Sequence, residues 1–419
     1  EHRHGSRLFS GWCHSSPPSM PVLSKVRVAV GLVLAAAVGP YLHIAIGLLE
    51  EGDIGQKTAA GDRMKRLYPY HFPLMVNFFQ YHQSNANTFP PLYFEKERAV
   101  ILEHLQQFTL HPYFQLPDLP HNLSWHQMLH ERVKMFRRRM DEQGMRDFEV
   151  EKDRCKMYAF YRKHNLPLLP LHGEWHSLTE LHAAVRDGEA FRNVTSWPVF
   201  WKACHLTQSS SEATRAMHAP PTQAEAAELM SWLAAKWDQR ADDFERVWAA
   251  DGNAITQGIE PGFLLQAPMP LANKFVVKGR ISVGLAEVRV EVLWGRAYLA
   301  LMDGVTVFTR DGKTQDFSKV DLFSSSSSVI ERHWFFEDGH HECVFSVAER
   351  AADAAGVDSI RIDIFMDRAQ PKACVINENS LSSGMVYWGH EPYLTRMWVE
   401  PHASKLYKVR DTPLGVLEQ

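Results

Sequence analysis

Residues 360–366 (IRIDIFM) restrict the fold more than any other segment, because apolar and charged residues alternate along them. In an extended strand, successive side chains point to opposite faces. The isoleucines therefore share one face, and Arg361 and Asp363 share the other. Turn-forming residues follow at 367–371, and a second strand then runs toward Glu378. A hairpin centred in that turn places Asp363 opposite Glu378.

The predicted pair of carboxylates needs a compensating charge. Two carboxylates this close repel each other unless a cation joins them. Hard oxygen ligands on adjacent strands suit Mg²⁺ that bridges nucleotide phosphates, which Arg361 would then contact. The alternative is a surface hairpin in which Asp363 pairs with Arg361 or another cation. The segment alone leaves both interpretations open.

The overall composition is that of a globular protein. The chain has 419 residues, with 45 Lys and Arg against 49 Asp and Glu and a net charge of −4. These values exclude a disordered or collagen-like chain, and the length predicts about two or three structural units. A nucleic-acid-binding protein needs a clearly basic face, so we expect no nucleic-acid partner. The five cysteines form no CxxC pair, which excludes zinc-ribbon and thioredoxin-like motifs. We expect no disulfide framework, and at least one cysteine stays unpaired within the chain.

Residues 28–49 (VAVGLVLAAAVGPYLHIAIGLL) form an uncharged run of 22 residues. At about 1.5 Å per residue this run is long enough to cross a hydrocarbon core. Lys25 and Arg27 precede it and acidic residues follow, which predicts a cytoplasmic N-terminus. We expect a membrane partner through this segment, either as a single-pass anchor with the bulk facing a lumen, or as a cleaved secretory signal that releases the protein. A buried helix is the third interpretation. Sequons at Asn122 and Asn193 suit a lumenal location.

Helical and extended patterns alternate along the rest of the chain, which favours an α/β or α+β fold. A capping box at Thr222 and Glu225 opens a long helix that Gly252 stops. A tight Gly295-Arg296 turn joins two strands. The predicted helices cover 125–146, 151–165, 178–185, 222–250 and 344–355, and the predicted strands cover 166–171, 198–201, 263–266, 286–294, 297–302, 359–366 and 373–376.

The spacing of the histidines favours no metal site. His172 and His176 flank Glu174 after a proline-flanked strand, and we interpret them as a solvated loop rather than a helical metal pair. Residues 340–343 (HHEC) follow an Asp-Gly pair and are interpreted as an exposed turn rather than a structural metal site. The patterns HExxH, GxSxG, Walker A and GxGxxG are absent from the sequence, which disfavours zinc proteases, α/β-hydrolases and P-loop NTPases.

Lys202 ends an apolar strand and precedes a hydroxyl-rich loop, a position from which a lysine can reach a phosphate. It opens a motif, Lys202-Ala203-Cys204-His205, that is followed by a long helix and the strand 263–266. Arg289 then lies in a strand that precedes a turn. This order resembles that of the ATP-grasp enzymes, and most closely their TupA-like branch, named for teichuronopeptide synthesis. In that family the strand that corresponds to 263–266 contacts adenine.

The last motif of that family is arginine-x-aspartate, a hairpin and a metal-binding glutamate, and Arg361, Asp363 and Glu378 are similar to it. The resemblance covers residues 149–387 and implies an α+β fold in which two lobes, with antiparallel sheets and flanking helices, close on ATP. An N-terminal hydrophobic segment and a helical preamble precede these lobes. The expected segments are an N-terminal tail (1–27), the anchor or signal (28–49), an aromatic and proline-rich preamble (50–148), a pre-grasp subdomain (149–197), a small lobe (198–270), a large lobe with the metal hairpin (271–400) and a C-terminal tail (401–419).

The resemblance also implies an activity, that of an ATP-dependent carboxylate-amine ligase that uses Mg²⁺. The terminal phosphate of ATP would pass to a carboxylate, and an amine would attack the acylphosphate, on a glycan or an amino acid. Arg361 and Arg289 are the implied catalytic residues, and Asp363, Glu378 and Asn379 are the implied metal ligands. The implied ATP-binding residues are Lys202, His205, Thr207, Ser209, Gln266, Ala267, Met269 and Arg289.

Three positions depart from the family pattern. The loop 206–211 lacks the glycines that let backbone N–H groups approach a phosphate. Gln266 stands where an acid is frequent, and Ser380 stands where asparagine is frequent. These departures keep open a second hypothesis, a non-catalytic lumenal binding or scaffold protein with the same fold. A lumenal glycosyltransferase is a weaker third hypothesis, because the sequence has no D-x-D metal triplet.

Overall fold

A computed structural model describes residues 91–146, 148–206, 213–240, 249–272, 275–277, 280–282, 284–302, 306–312, 333–383 and 391–410. These residues belong to one compact unit that spans 77–419. The uncharged segment 28–49 and the loop residues Thr207 and Ser209 lie outside the described residues. Within the described ranges, no helix combines the length and the apolar character needed to cross a bilayer.

Helices and strands are interspersed along the described residues. The helices are α1 (Pro91–Leu105), α2 (Trp125–Gln143), α3 (Glu149–Lys152), α4 (Arg154–Lys163), α5 (Leu178–Arg186), α6 (Gln223–Asp238), α7 (Ala249–Thr256), α8 (His340–Ala355) and α9 (Glu391–Ser404), with short helical turns at Pro112–Phe114, Glu189–Phe191 and His333–Glu337. The strands are β1 (Thr109–Leu110), β2 (Leu171–Trp175), β3 (Val199–Ala203), β4 (Thr214–Met217), β5 (Phe263–Gln266), β6 (Phe275–Val277), β7 (Arg280–Ser282), β8 (Leu285–Leu293), β9 (Arg296–Met302), β10 (Thr306–Thr309), β11 (Ser359–Asp367), β12 (Cys374–Ser380) and β13 (Lys408–Val409).

The larger sheet is antiparallel, with the strand order β10-β9-β8-β11-β12. The alternation in β11 buries one face, since Ile360, Ile362 and Ile364 are at most 2% exposed. Helix α8 packs against β8, β9, β11 and β12, and it contributes Val344 and Ala348 to the same hydrophobic cluster as these isoleucines. The strand predicted for 359–366 is therefore confirmed.

The smaller sheet is also antiparallel, with the order β2-β5-β3-β4. Helices α5 and α6 bury Leu181, Leu229 and Leu233 completely, in a second hydrophobic cluster with Trp201 and Phe263. Burying each leucine contributes about 1.5–3 kcal/mol. The larger and the smaller sheet thus each have a hydrophobic cluster and flanking helices. This confirms the predicted α+β class with antiparallel sheets.

A buried charge network joins α2, β11 and α9. Arg132 and Asp358, the residue before β11, form an ion pair with both side chains 0% exposed. Asp358 also accepts a hydrogen bond from Trp398 Nε1 at 2.6 Å and contacts His402 Nε2 at 2.7 Å. Burial by itself raises the pKa of this carboxyl, but Arg132 and then His402 and Trp398 outweigh burial, so the pKa of Asp358 is lowered. Arg132 also donates to the carbonyl of Ser359 at 2.6 Å.

The expectation of a chain without disulfides is wrong. Cys155 bonds to Cys204 with a Cα–Cα distance of 5.3 Å, and Cys343 bonds to Cys374 with a Cα–Cα distance of 6.3 Å. The partners are 49 and 31 residues apart, so no short spacing motif signals them. Tertiary packing brings them together, by placing the start of α4 beside the end of β3 and the start of α8 beside the start of β12.

Two predicted helix boundaries are also wrong. The helix that Thr222 opens ends at Asp238, because Gln239 is extended at φ −70° and ψ 149°. A further helix, α7, contains Gly252 instead of being stopped by it, at an interior glycine cost of about 1 kcal/mol. Helix α8 begins at His340, after Gly339 in the left-handed region (φ 80°), so residues 340–343 are helical and not an exposed turn.

Two predicted strand boundaries differ from those in the structure, one because of prolines and one because of the position of a turn. The run 166–171 contains prolines, which cannot donate to a ladder, and strand β2 begins only at Leu171. His172 and Glu174 therefore lie on a strand and not in a loop. The predicted Gly295-Arg296 turn lies one residue earlier, since Trp294 (φ 52°) and Gly295 (φ 76°) are its two left-handed central residues.

We predict that Arg132→Met lowers the free energy of unfolding by about 3–5 kcal/mol, because it leaves the Asp358 carboxylate buried without its guanidinium partner. Arg137→Met is the matched control on the same helix, since Arg137 forms an exposed i,i+4 pair with Asp141 that contributes only about 0.3–0.5 kcal/mol. Urea denaturation of both variants measures the difference. Equal losses in the two variants would contradict a structural role for the buried pair.

Candidate functional site

The hairpin of β11 and β12 places Asp363 opposite Glu378, as the sequence predicted, although the pairs nearer the turn are shifted by one residue from the predicted register. Asp363 pairs directly with Glu378 across the hairpin and with Arg289 of β8 on its other side. A β-bulge between Asp363 and Ile364 adds one residue, Asn377, to the β12 side. Directly opposed residues share a face of the sheet. Asp363, Glu378 and Arg289 therefore project together from three adjacent strands of the larger sheet.

Asp363 is a buried carboxylate held by arginines. Its side chain is 3% exposed, and Arg361 donates to it from Nε at 2.7 Å and from Nη2 at 2.9 Å. Arg289 Nε lies 3.8 Å away. Burial nevertheless raises the pKa of Asp363, and the charge of Arg361 only partly opposes that rise. The pairing with Arg361 is the one that the surface-hairpin interpretation expected, but the carboxylate is not on the surface.

Glu378 pairs with a cation that the sequence reasoning missed. Its partner is Arg154 Nη2, at the first position of α4. The Glu378 side chain is 30% exposed and that of Arg154 is 8% exposed. Burial alone would raise the pKa of Glu378, but Arg154 and then Lys202 outweigh burial and lower it. Arg154 also donates from Nη1 to the carbonyl of Leu206 at 2.9 Å, so it links the hairpin to the end of the smaller sheet.

Lys202 brings the smaller sheet to the same cluster. Its side chain is nearly buried, and Nζ donates to Asn377 Oδ1 at 3.1 Å. Asn377 in turn donates from Nδ2 to Glu287 Oε1 at 3.1 Å. Burial, reinforced by the nearby Arg154, lowers the pKa of Lys202 to about 8. The bulge thus provides one contact between the two sheets.

The cluster contains more positive than negative groups. Four cations face three carboxylates, so the formal sum is one positive charge. The cations are Arg154, Lys202, Arg289 and Arg361, and the carboxylates are Glu287, Asp363 and Glu378. Guanidinium and ammonium groups at such density attract phosphate groups, and the carboxylate and amide oxygens beside them are the donors that Mg²⁺ prefers.

Several residues implied by the resemblance are not brought to this cluster. Asn379 lies opposite Ile362, so it is on the face of the isoleucines, and it donates from Nδ2 to the Tyr161 hydroxyl at 2.6 Å. The structure therefore does not group Asn379 with Asp363, because Asn379 follows Glu378 directly and successive residues of a strand point to opposite faces. The bulge brings Asn377 to the cluster. His205 is 1% exposed and uses Nε2 with the carbonyl of Lys236 at 3.0 Å.

The segment after β5 is buried beside α4 and β2. Gln266 contacts the hydroxyl of Tyr158, and the N–H of Ala267 donates to the carbonyl of Pro170 at 2.9 Å. Met269 is 9% exposed. The described residues show no direct contact between this segment and the charged cluster, and Thr207 and Ser209 fall outside the described ranges.

Arg154 carried one sequence signal that could have identified it. Asp153 before it caps α4 by accepting from the N–H groups of Cys155 at 2.9 Å and Lys156 at 3.2 Å. This aspartate fixes where helix α4 starts, and it therefore fixes Arg154 as the first residue of that helix. The predicted helix 151–165 ran across this break, which hid the special position of Arg154.

Comparison of the sequence with protein-family models and with curated proteins found no match. Among solved structures, the chain is similar to an ATP-grasp RimK domain protein from Sphaerobacter thermophilus DSM 20745, with 10% identity over 61% of this chain and 68% of that chain and a TM-score of 0.32. It is similar to a biotin carboxylase from Campylobacter jejuni, with 9% identity over 66% of this chain and a TM-score of 0.36. The chain spans only 53% of that carboxylase. It is also similar to the D-cycloserine synthetase DcsG, with 14% identity over 67% of this chain and 80% of that chain and a TM-score of 0.34. Similarity of this size identifies neither the family nor the activity of the chain.

We predict a pH dependence of stability from Lys202. Its pKa in the folded chain, about 8, lies below the ordinary value of 10.5, so the unfolded chain binds more protons between these values and stability rises there with pH. The free energy of unfolding of wild type, relative to that of Lys202→Met, should increase by up to about 3 kcal/mol as the pH rises through this window.

Chemical denaturation at several pH values measures this difference. Lys134→Met is the control, because the Lys134 side chain is 43% exposed and its ammonium stays in water. A difference that does not change with pH in the Lys202 variant would show that the lysine is not held in a desolvated site.

Proposed function

We propose that this chain is an ATP-grasp ligase of the TupA-like branch that uses Mg²⁺ and ATP to join a carboxylate to an amine. The observation that carries the proposal is the contact between Lys202 of the smaller sheet and Asn377 of the larger sheet, at 3.1 Å, beside the opposed pair of Asp363 and Glu378. This contact brings the lysine motif and the arginine-x-aspartate hairpin, far apart in sequence, to one cluster.

The donors beside the hairpin fit a magnesium ion. Asp363 and Glu378 are adjacent carboxylates, with the amide of Asn377 and the carboxylate of Glu287 next to them. Each of the hairpin carboxylates now pairs with a guanidinium, which supplies the positive charge that the buried acids need. A divalent ion bound there would neutralise phosphate charge and act as a Lewis acid. We infer Asp363 and Glu378 as its ligands, with Asn377 in the place of Asn379.

The cations of the cluster have roles that follow from their positions. Lys202 and Arg289 would bind the phosphates on either side of the hairpin. Arg361, 12% exposed and paired with Asp363, would stabilise the charge that develops on the transferred phosphoryl group. Arg154 would exchange its contact with Glu378 for a phosphate when metal and nucleotide bind. Backbone groups of residues 266–269 would contact adenine.

The reaction has two steps that conserve all atoms. A carboxylate oxygen of the substrate attacks the terminal phosphorus of ATP, the bond to the bridging oxygen breaks, and ADP leaves. The amine then attacks the acyl carbon, loses a proton, and expels inorganic phosphate as the amide forms. The protein supplies alignment, charge and exclusion of water rather than a nucleophile. A uronic-acid glycan or an amino acid is the proposed carboxylate.

A non-catalytic binding protein is the second candidate function. The ion pair of Arg154 and Glu378 favours it, because a guanidinium occupies the carboxylate that a metal would use. The glycine-free loop 206–211 favours it as well. The two candidates differ in one respect that is easily measured, since only the ligase requires Mg²⁺ and nucleotide to displace Arg154 from Glu378.

The location of the protein remains a proposal from residues 28–49. We infer a single membrane-spanning anchor, or a secretory signal that is removed, with the catalytic part facing a lumen or the outside. The charge distribution around the segment supports this orientation.

We predict that ATP with Mg²⁺ raises the melting temperature of the full chain by a few degrees, since a ligand at 100 times its dissociation constant stabilises by about 2.7 kcal/mol. Asp363→Asn and Glu378→Gln should lose the Mg²⁺-dependent part of the shift, as measured by scanning fluorimetry. Glu228→Gln should keep it, because Glu228 is 70% exposed and lies on α6. No shift in wild type at millimolar nucleotide would favour the non-catalytic protein.

We predict that Arg361→Gln lowers kcat by about 10²–10³ with a smaller change in the KM for ATP, because it removes a donor that acts mainly on the transition state. ADP release is measured with glucuronate or glutamate as the carboxylate and hydroxylamine as the amine, which traps the acylphosphate as a hydroxamate. Arg186→Gln, a change at a 65% exposed arginine, should leave kcat unchanged. Hydroxamate formation at an equal rate in the Arg361 variant would contradict the assigned role.

A further inference from the structure

A second cluster of reactive side chains lies beside the start of α4, outside the proposed nucleotide site. It contains the disulfide of Cys155 and Cys204, which are 2% and 1% exposed. The Sγ atom of Cys155, a carboxylate oxygen of Glu174 and a ring nitrogen of His176 all lie within 4.8 Å of one another. One sulfur, an imidazole and a carboxylate are thus brought together, and the disulfide adds the sulfur of Cys204 from a third segment of the chain.

Gly262 leaves the space between these groups open. A Cβ atom at this position would lie 3.2 Å from His176 Nδ1 and 3.5 Å from Cys155 Sγ. The N–H of Cys204 donates to the carbonyl of Gly262 at 2.8 Å, which places the second cysteine against the same residue. His176 Nε2 contacts Glu174 Oε1 at 2.9 Å, a contact that fixes the orientation of the ring.

Asp153 is another carboxylate near the two sulfurs, but it already has a structural role. One of its oxygens caps α4 by accepting from the N–H groups of Cys155 and Lys156. Glu174, on the strand edge beside His176, is the carboxylate that can turn toward the sulfurs without unwinding a helix.

We propose that, when the Cys155–Cys204 disulfide is reduced, Cys155, Cys204, His176 and Glu174 bind one Zn²⁺. Two thiolates, an imidazole and a carboxylate are a donor set that zinc accepts in a tetrahedral structural site, at about 2.3 Å to sulfur and about 2.0–2.2 Å to nitrogen and oxygen. This inference does not depend on the proposed ligase activity.

A phosphine is the reductant for the exchange of the disulfide bond for zinc. The phosphine takes an oxygen from water and becomes a phosphine oxide, and the disulfide gains two electrons and two protons to give two thiols. Zinc then displaces both thiol protons, because only thiolates ligate it. The metal replaces the disulfide as the link between the start of α4 and the end of β3, so Arg154 and Lys202 keep their positions in either state.

The test uses the full chain, reduced with a phosphine that does not chelate zinc, loaded with zinc chloride and freed of excess metal by gel filtration. The reduced wild type should retain one zinc per chain more than the oxidised protein, as measured by elemental analysis. Cobalt chloride in place of zinc should give the visible bands and the thiolate charge-transfer band of a tetrahedral Co²⁺ site.

Three variants locate the site, with circular dichroism to verify the fold. Cys155→Ser/Cys204→Ser should lose the retained zinc, whereas Cys343→Ser/Cys374→Ser removes the other disulfide and should keep it. His176→Ala changes a side chain that is 62% exposed, so it should fold normally and weaken zinc binding at least tenfold. The proposal is overturned if the reduced wild type retains no additional zinc, or if His176→Ala and the Cys155 and Cys204 variant retain as much as wild type.

Discussion

The structure depends on one unfavourable placement, a carboxylate buried on an inner strand of the larger sheet. Asp363 is 3% exposed at its side chain, and a buried carboxylate requires a charged partner and hydrogen bonds. Arg361 on the same strand supplies two donors, and Arg289 on the neighbouring strand lies within 3.8 Å. The rest of the cluster extends from this requirement, because Arg289 also pairs with Glu287, and Glu378 beside Asp363 pairs with Arg154.

Two of the buried acids on or next to β11 have different surroundings, Asp358 directly before the strand and Asp363 within it. Asp358 is enclosed by Arg132, Trp398 and His402, all fully or almost fully buried, so its network is a closed structural link between helices. The cluster at Asp363 contains members that water reaches, since the side chains of Glu287, Arg289 and Glu378 are about one-third exposed. An open polar cluster of this kind can exchange partners with a ligand, whereas the closed one cannot without unfolding.

Much of this arrangement could be predicted from the sequence, for a definite physical reason. The alternation over 360–366 fixes which side chains share a face. The opposition of Asp363 and Glu378 was predicted from the position of the turn, but it also depends on the bulge, because the pairs nearer the turn, such as Ile364 and Ile376, are shifted by one residue. Asn379 was assigned to the site from the resemblance, although it follows Glu378 directly and therefore points to the other face of the strand. Asn377 reaches the site through a bulge, which nothing in the local pattern marks.

The contacts of Arg154 and the two disulfides could not be predicted for a related reason. Arg154 reaches Glu378 across 224 residues of sequence, and the Cys155–Cys204 bond links segments 49 residues apart. Such contacts are set by how the helix α4 packs between the two sheets. The order of the motifs predicted which elements carry charged groups, but the packing of those elements decided which charges meet.

A crystal structure of the chain with Mg²⁺ and a non-hydrolysable ATP analogue tests the proposed Mg²⁺ and nucleotide site most directly. We expect a metal ion about 2.1 Å from oxygens of Asp363 and Glu378. We also expect Lys202 Nζ within hydrogen-bond distance of a phosphate, and Arg154 moved away from Glu378. A nucleotide bound elsewhere, or a hairpin in which Arg154 still pairs with Glu378 and no metal is present at saturating Mg²⁺, would contradict the proposed site.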